Sequence, residues 1–276
     1  MKVPILTYHA SDIRGNEYHE SDLAALGEDL RTIDQLGFRV LPLSQIVDLW
    51  LKSPQALEGI RAVGLSCDDG TDFDFHDMPH PVAGVQRSVL NRLKDFRTIR
   101  PSAQPSLSIT SFVIVSPDAR ENLDRTCLIG KGWWRDDWWR SATSSGLMEV
   151  GNHSWDHNHD TLDTTPFPGV RRGTFESICN DELADYEIAQ AAAFLREHSP
   201  GRGTELFAYP YGKINEFLAE DYFPRRAADI GVNAAFADLA EPLHAGSDRW
   251  ALPRFVFRRD WNHPGELAGL LNRARK

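Results

Sequence analysis

Ser108-Ile109-Thr110-Ser111-Phe112-Val113-Ile114-Val115 is the strongest strand signal in the chain. β-Branched and aromatic residues dominate it, and such side chains suit a pleated, buried surface. Working outward, six shorter runs of the same kind stand at intervals: Val3–Tyr8, Ala62–Cys67, Met148–Val150, Leu206–Ala208, Ala234–Phe236 and Leu252–Phe257. Helical patterns lie between most of them. Leu23, Leu26, Leu30, Ile33 and Leu36 recur at spacings of three and four, with Gly37 as the expected stop. Further helices are expected from about Val85 to Phe96, over Asp181–Glu197, Asn215–Ile230 and Pro264–Arg275. Seven strands alternating with helices predict an α/β fold with a largely parallel sheet, open or closed into a barrel. Nothing marks a domain boundary, so residues 1–276 are read as one domain.

Composition bounds the partners. The chain is 41% hydrophobic and 25% charged, ordinary values for a globular protein rather than a disordered or coiled-coil one. Its longest aliphatic and aromatic run is Phe112–Val115, far short of the ~20 residues that span a bilayer. A formal charge of −10 argues against nucleic acid or an anionic membrane as partner. Cys67, Cys127 and Cys179 show no CxxC spacing and are odd in number, which fits a reducing compartment. The opening residues do not read as a signal peptide, and a cytoplasmic location is expected. The pattern carries no signal for an oligomeric state.

In parallel α/β folds the working residues gather at the carboxyl ends of strands. The second strand ends in Cys67-Asp68-Asp69-Gly70-Thr71. Two carboxylates there can divide labour, one holding a metal and the other taking a proton; a solvated Asp-Asp-Gly turn is the plain alternative. The fourth strand leads into Gly151-Asn152-His153-Ser154-Trp155-Asp156-His157-Asn158-His159. His153 and His157 have a spacing that lets two imidazoles meet one ion. His159 is either a third ligand or a solvated loop residue. Asp69, His153 and His157 together would form a two-histidine, one-carboxylate site with open positions, suited to hydrolysis. Tyr209-Pro210-Tyr211-Gly212 follows the fifth strand, where its turn could aim a backbone N–H at an oxyanion or simply pack two aromatic rings.

These segments resemble the polysaccharide deacetylases, carbohydrate esterase family four. Ser66–Gly70 is similar to the family's Thr-Phe-Asp-Asp-Gly, Gly151–His157 to its His-(Ser/Thr)-x-x-His segment, and Tyr209–Gly212 to its Pro-Tyr-Gly. The resemblance implies a distorted (β/α)7 barrel and a metal-dependent hydrolase that removes acetyl groups from N-acetylated sugars. It implies Asp69, His153 and His157 as ligands of one divalent metal, usually Zn2+, with Co2+ or Ni2+ as alternatives. It further implies Asp68 as general base and the Tyr211 N–H as oxyanion donor. Cys67 replaces the family's Phe, and Ala208 stands where many members carry an arginine that steadies the base; Arg254 is the substitute expected here. No Leu-x-His motif supplies the usual acid near the C-terminus, where His244 is the nearest approach. Tyr8-His9 resembles instead the circularly permuted branch acting on poly-N-acetylglucosamine, and implies His9 as the acid. Hydrolysis of another amide, a formamide or small cyclic amide, is the enzymatic alternative. A non-catalytic sugar-binding relic is the other, and the intact Asp and His sets argue against it.

Two further stretches remain open on sequence alone. Trp133, Trp134, Trp138 and Trp139 would lie on one helical stripe and pack inward, or form a platform for sugar rings. Asp72, Asp74 and Asp77 would read substrate hydroxyls or sit in a solvated loop.

Overall fold

The computed structural model describes residues 2–57, 59–162 and 166–274. Its main sheet contains β1 (Ile5–Tyr8), β2 (Ala62–Cys67), β3 (Ile109–Val113), β4 (Met148–Asn152), β5 (Leu206–Ala208), β6 (Ala234–Ala237), β7 (Leu252–Pro253) and β8 (Phe255–Val256). The spatial order is β7-β6-β5-β4-β3-β2-β1-β8, with every neighbouring pair parallel. The two ends of that order are one stretch of chain. Leu252-Pro253 pairs with β6 and Phe255-Val256 pairs with β1, so the segment around Arg254 closes the sheet into a seven-stave barrel. The seven expected strands are the seven staves. Pro4 interrupts the first, and a short strand, Arg39–Val40, adds to the outer end of β2.

Helices cover the barrel because their apolar stripes have nowhere else to go. In Asp22–Gln35 the stripe Leu23, Leu26, Leu30 and Ile33 is buried. Gly37 takes φ +71° just past its end and donates to Asp34 O at 2.9 Å, the left-handed stop that a side chain would disfavour. The Val85–Phe96 helix begins later than its pattern suggests and spans Val89–Ile99. Ser88 caps it by accepting from Asn91 N at 3.2 Å, while Gly84–Gln86 joins a hairpin with Met78–His80. The last helix is described over Pro264–Ala274; Arg275 lies outside the described residues. The Asp181–Glu197 and Asn215–Ile230 stretches are helical with a π turn in each, at Asp185–Ala189 and Leu218–Tyr222. Leu43–Lys52 and Pro117–Thr126 add two helices that the reading of the sequence did not name.

The tryptophan stretch is corrected in part. Among its four rings only Trp139 lies in a helix, Trp139–Ser144, so there is no helical stripe. Trp138 and Trp139 are nevertheless buried in the core. Asp72 and Asp74 are buried too, which excludes the solvated loop for both. Asp72 accepts from Arg135 N and Nε at 2.8 Å each and pins that stretch to the barrel rim. Asp77 instead pairs with Arg87 and Asn91. Among the described residues no helix is long and apolar enough to cross a membrane.

Candidate active site

Six consecutive staves end at one cavity of about 600 Å³, in the range usual for small-molecule sites. Its wall includes His9 after β1, Asp68 and Asp69 after β2, Ile114 after β3, His153 and His157 after β4, Tyr211 after β5 and Asp238 after β6. The sheet's hydrogen bonding continues past the strand ends and fixes these residues in register. Asp68 N donates to Tyr8 O at 2.9 Å, His153 N to Val113 O at 3.0 Å and Arg254 N to Ala237 O at 2.9 Å.

Asp69, His153 and His157 each offer a ligand atom within 4.8 Å of the others, the one such acidic, thiol or imidazole group among the described residues. His153 Nδ1 lies 2.9 Å from Ala208 O, leaving Nε2 to face Asp69 Oδ1 at 3.8 Å. A second-partner bond of this kind fixes the tautomer and aims the free nitrogen. His157 is buried, and its Nδ1 has no hydrogen-bond partner in the structure. Burial first, then the neighbouring His153, His159 and His9, hold its pKa well below the usual imidazole value. It is therefore neutral, the form that ligates. Two imidazoles and a carboxylate at these separations fit a divalent cation.

The backbone is strained where the site is built. Asp69, Ser154, His157, Asn158 and Tyr211 all have positive φ, between 43° and 75°. Outside glycine such conformations cost of order 1–3 kcal/mol each and persist only where surroundings over-determine them. Here they do: His157 N donates to Ser154 Oγ at 2.8 Å, and Asn158 Nδ2 donates to Arg171 O, Thr174 O and Ser177 Oγ. Gly70 follows Asp69 at φ +72°, packed so closely on Val113 that a Cβ would collide with it. That glycine cannot be exchanged cheaply.

Asp68 is buried and held by Arg254 through two parallel bonds of 2.8 Å. Burial alone would raise its pKa, but Arg254, His153 and His9 outweigh burial and hold the carboxyl below the usual range. Arg254 also donates to Asp238 Oδ1, from Nη2 at 3.0 Å and Nε at 3.2 Å. Arg254, the residue expected in place of an arginine at Ala208, contacts Asp68 from the barrel's closing segment. Asp238 is the partner that the sequence reading missed; its position right after the β6 run is the signal that could have found it.

His9 shares the cavity wall with Asp68 and Asp69, and its backbone N–H donates to Asp22 Oδ2 at 2.7 Å. His244 does not join them. It sits in a strand paired antiparallel with Lys2–Val3, at the entry end of β1 rather than its exit, which removes it as the competing acid. Tyr211 (φ 63°, ψ 7°) turns the chain into the cavity, and its ring, 39% exposed, stands edge-on to His157 at 4.5 Å. Trp134 lines the opposite wall and donates from Nε1 to Asp69 O at 3.0 Å.

Residues 103–227 match the family model for polysaccharide deacetylase. Solved structures agree over the full length. The Streptococcus pyogenes deacetylase PplD in complex with acetate superposes with a TM-score of 0.64 over 98% of both chains, at 17% identity. The fold is that of the polysaccharide deacetylases. IcaB from Ammonifex degensii gives a TM-score of 0.59 at 18% identity, covering 98% of this chain and 97% of its own. The de-N-acetylase from Aggregatibacter actinomycetemcomitans gives 0.58 at 15% identity, with 93% and 95% covered. No curated protein matches the sequence. The family match contains the His153/His157 and Tyr211 segments but not Asp68-Asp69 or His9, which the fold brings to the same cavity.

Proposed function

We propose that this chain is a metal-dependent hydrolase that removes acetyl groups from N-acetylated sugars, acting over residues 1–276 as one catalytic unit. The observation that carries this reading is the meeting of Asp69, His153 and His157 beside a base already clamped by Arg254. When bound there, a divalent metal, zinc foremost and cobalt or nickel as alternatives, supplies Lewis acidity toward the acetyl carbonyl and toward water. Asp68 takes the proton from the attacking water; its lowered pKa keeps it ionised and ready to accept. The Tyr211 N–H donates to the carbonyl oxygen as that oxygen gains charge. His9 hands a proton to the nitrogen as the C–N bond breaks, so acetate and a free amine leave.

The cavity wall bears on the choice of substrate. Asp12, Asp68 and Asp238 on it are paired with Arg258 and Arg254, so its charge does not exclude a phosphate-bearing sugar precursor. Trp134 and Tyr211 offer ring faces and edges for the pyranose. The resemblance of Tyr8-His9 to the permuted branch makes an N-acetylglucosamine polymer or its precursors the class to test first, and the likeness to a de-N-acetylase supports an N-acetyl substrate. Three unpaired cysteines, two of them exposed, support a reducing, cytoplasmic setting. The test is acetate release from a panel of N-acetyl sugars by protein of measured metal content. Stoichiometric metal with no acetate from any of them would refute the reading.

A further inference from the structure

His153 and His157 come from one turn of chain, but different parts of the fold hold them. His153 is still in register with the sheet, its N–H donating to Val113 O at 3.0 Å. His157 lies past a turn in which Ser154 and His157 itself have positive φ. Its distance from His153 therefore depends on what anchors the residues between. The two consecutive N–H groups just before it go to one residue. Trp155 N donates to Glu187 O at 2.7 Å, and Asp156 N donates to Glu187 Oε2 at 3.2 Å. The next carbonyl, Ile188 O, accepts from Asn152 Nδ2 at 3.2 Å, and Asn152 Oδ1 accepts in turn from Ser154 N at 2.8 Å. Glu187 and Ile188 are the buried residues of the π turn Asp185–Ala189. A π turn interrupts the regular helical ladder, and such interruptions recur at functional sites. Here its carbonyls and a buried carboxyl meet the span between two imidazoles whose ring centres are 5.0 Å apart.

We propose that Glu187 is a positioning residue for the metal-binding turn: its carboxyl oxygen fixes Asp156 N and, through it, the place of His157 relative to His153. The effect travels through the peptide backbone, since the atom held is a main-chain nitrogen. The side chain of Asp156 is pinned as well. Its carboxylate accepts from Arg172 Nη1 and Nη2 at 3.3 and 3.2 Å and from Asn158 N at 2.8 Å. The residue before His157 is thus fixed at both its main chain and its side chain. This inference rests on the reading of Asp69, His153 and His157 as ligands of one ion. Such a set binds less tightly when one ligand is free to drift.

Metal affinity reads this role directly. Glu187→Met fills the same space without an acceptor, whereas Glu187→Gln keeps an oxygen where Asp156 N can reach it. Chelator competition on full-length protein should give Glu187→Met a dissociation constant for Zn2+ or Co2+ about 10- to 100-fold above wild type, the usual effect of losing a group that orients a ligand. Glu187→Gln should stay close to wild type. The visible absorption of bound Co2+ should shift in the first variant and not in the second. Glu187→Ala gives the same reading if the methionine variant does not fold. Leu195→Ala, a buried change farther along the same helical stretch, should lower the urea midpoint and leave the dissociation constant alone. Wild-type affinity in Glu187→Met, equal loss in Glu187→Gln, or equal loss in Leu195→Ala would each overturn the positioning role. A wild-type protein that binds neither ion would refute the metal centre itself, and this inference with it.

Discussion

Arg254 grips both carboxylate oxygens of Asp68 across 186 positions of sequence, each at 2.8 Å. The contact exists because one short segment pairs with both β6 and β1, which sets Arg254 at the seam of the barrel beneath the acidic pair. The guanidinium is buried between Asp68 and Asp238. Breaking one partner of a buried ion cluster typically costs about 3–5 kcal/mol, because the other charges are left uncompensated.

Arg254→Met should therefore lower stability by about that amount and cut turnover, since it leaves two buried carboxylates without their cation. The pH profile carries the sharper signal. Asp68 is held below its usual pKa, so it is ionised down to a lower pH than a free carboxyl. Without the fork, burial dominates and the carboxyl titrates higher, so the acidic limb of kcat/KM should shift to higher pH. An unmoved limb would mean that Asp68 is not the base or that Arg254 does not tune it. The same depression contributes stability that is present above the unfolded value of about 3.9 and lost as pH falls through the lower folded one.

The adjacent carboxylates should separate cleanly by metal content. His153→Ala and Asp69→Asn each remove one of three ligands and should reduce bound metal sharply. Asp68→Asn should retain it, because Asp68 faces Arg254, while turnover falls with the loss of the proton acceptor. Elemental analysis decides. Full metal in His153→Ala, or equal metal loss in the two Asp variants, would undo this division of roles.

What the sequence made legible was whatever is written locally. Short apolar runs marked all seven staves, and strand ends marked Asp68, Asp69, His153 and His157 without any knowledge of the barrel. The helix Leu43–Lys52 was missed although its signal is local, since Leu43, Ile46, Val47 and Trp50 follow the 3.6 period and are all buried. Pro117–Thr126 was harder: it is polar nearly throughout, and its clearest sign is the Ser116-Pro117 cap. Asp238 was legible only as a carboxylate at a strand end; its pairing with Arg254 was not, because it depends on how the ring closes. Asp72 and Asp74 misled for a related reason. A run of carboxylates looks solvated until the fold supplies Arg135 for one and a buried Ser111 and Cys67 for the other.

Asp74 gives a stability test independent of catalysis. It is buried, and its pKa is pushed up to about 8, by burial first and then by Asp69 and Asp68, against the bonds from Ser111 and Cys67. The folded protein thus keeps a proton that the unfolded chain releases near pH 4. For a carboxyl raised in this way, stability falls as pH rises between those values, by at most about 1.4 kcal/mol per unit. Asp74→Asn keeps a neutral group of the same shape and should flatten that slope. Urea midpoints at pH 5 and pH 8 measure it; parallel trends in wild type and variant would show that Asp74 is ionised throughout.

His9 carries the prediction with the most mechanistic content. Burial works to lower its pKa, but Asp69, Asp68 and Asp22 prevail over burial and Arg254, and the imidazole titrates above its ordinary value. Without a metal the ring stays protonated to a higher pH than a free histidine; in the loaded enzyme, acid catalysis by it should fade as pH rises through its own pKa. His9→Ala should keep its metal and lose kcat on amide substrates by about 10²–10⁴, the usual worth of a positioned acid. The alkaline limb of the wild-type profile should vanish with it. An activated acetyl ester, whose leaving group scarcely needs a proton, should be hydrolysed almost as fast as before. His244→Ala, altered at the opposite end of the barrel, should behave as wild type on both. Equal loss on amide and ester in His9→Ala would reduce His9 to a structural residue of the β1 rim.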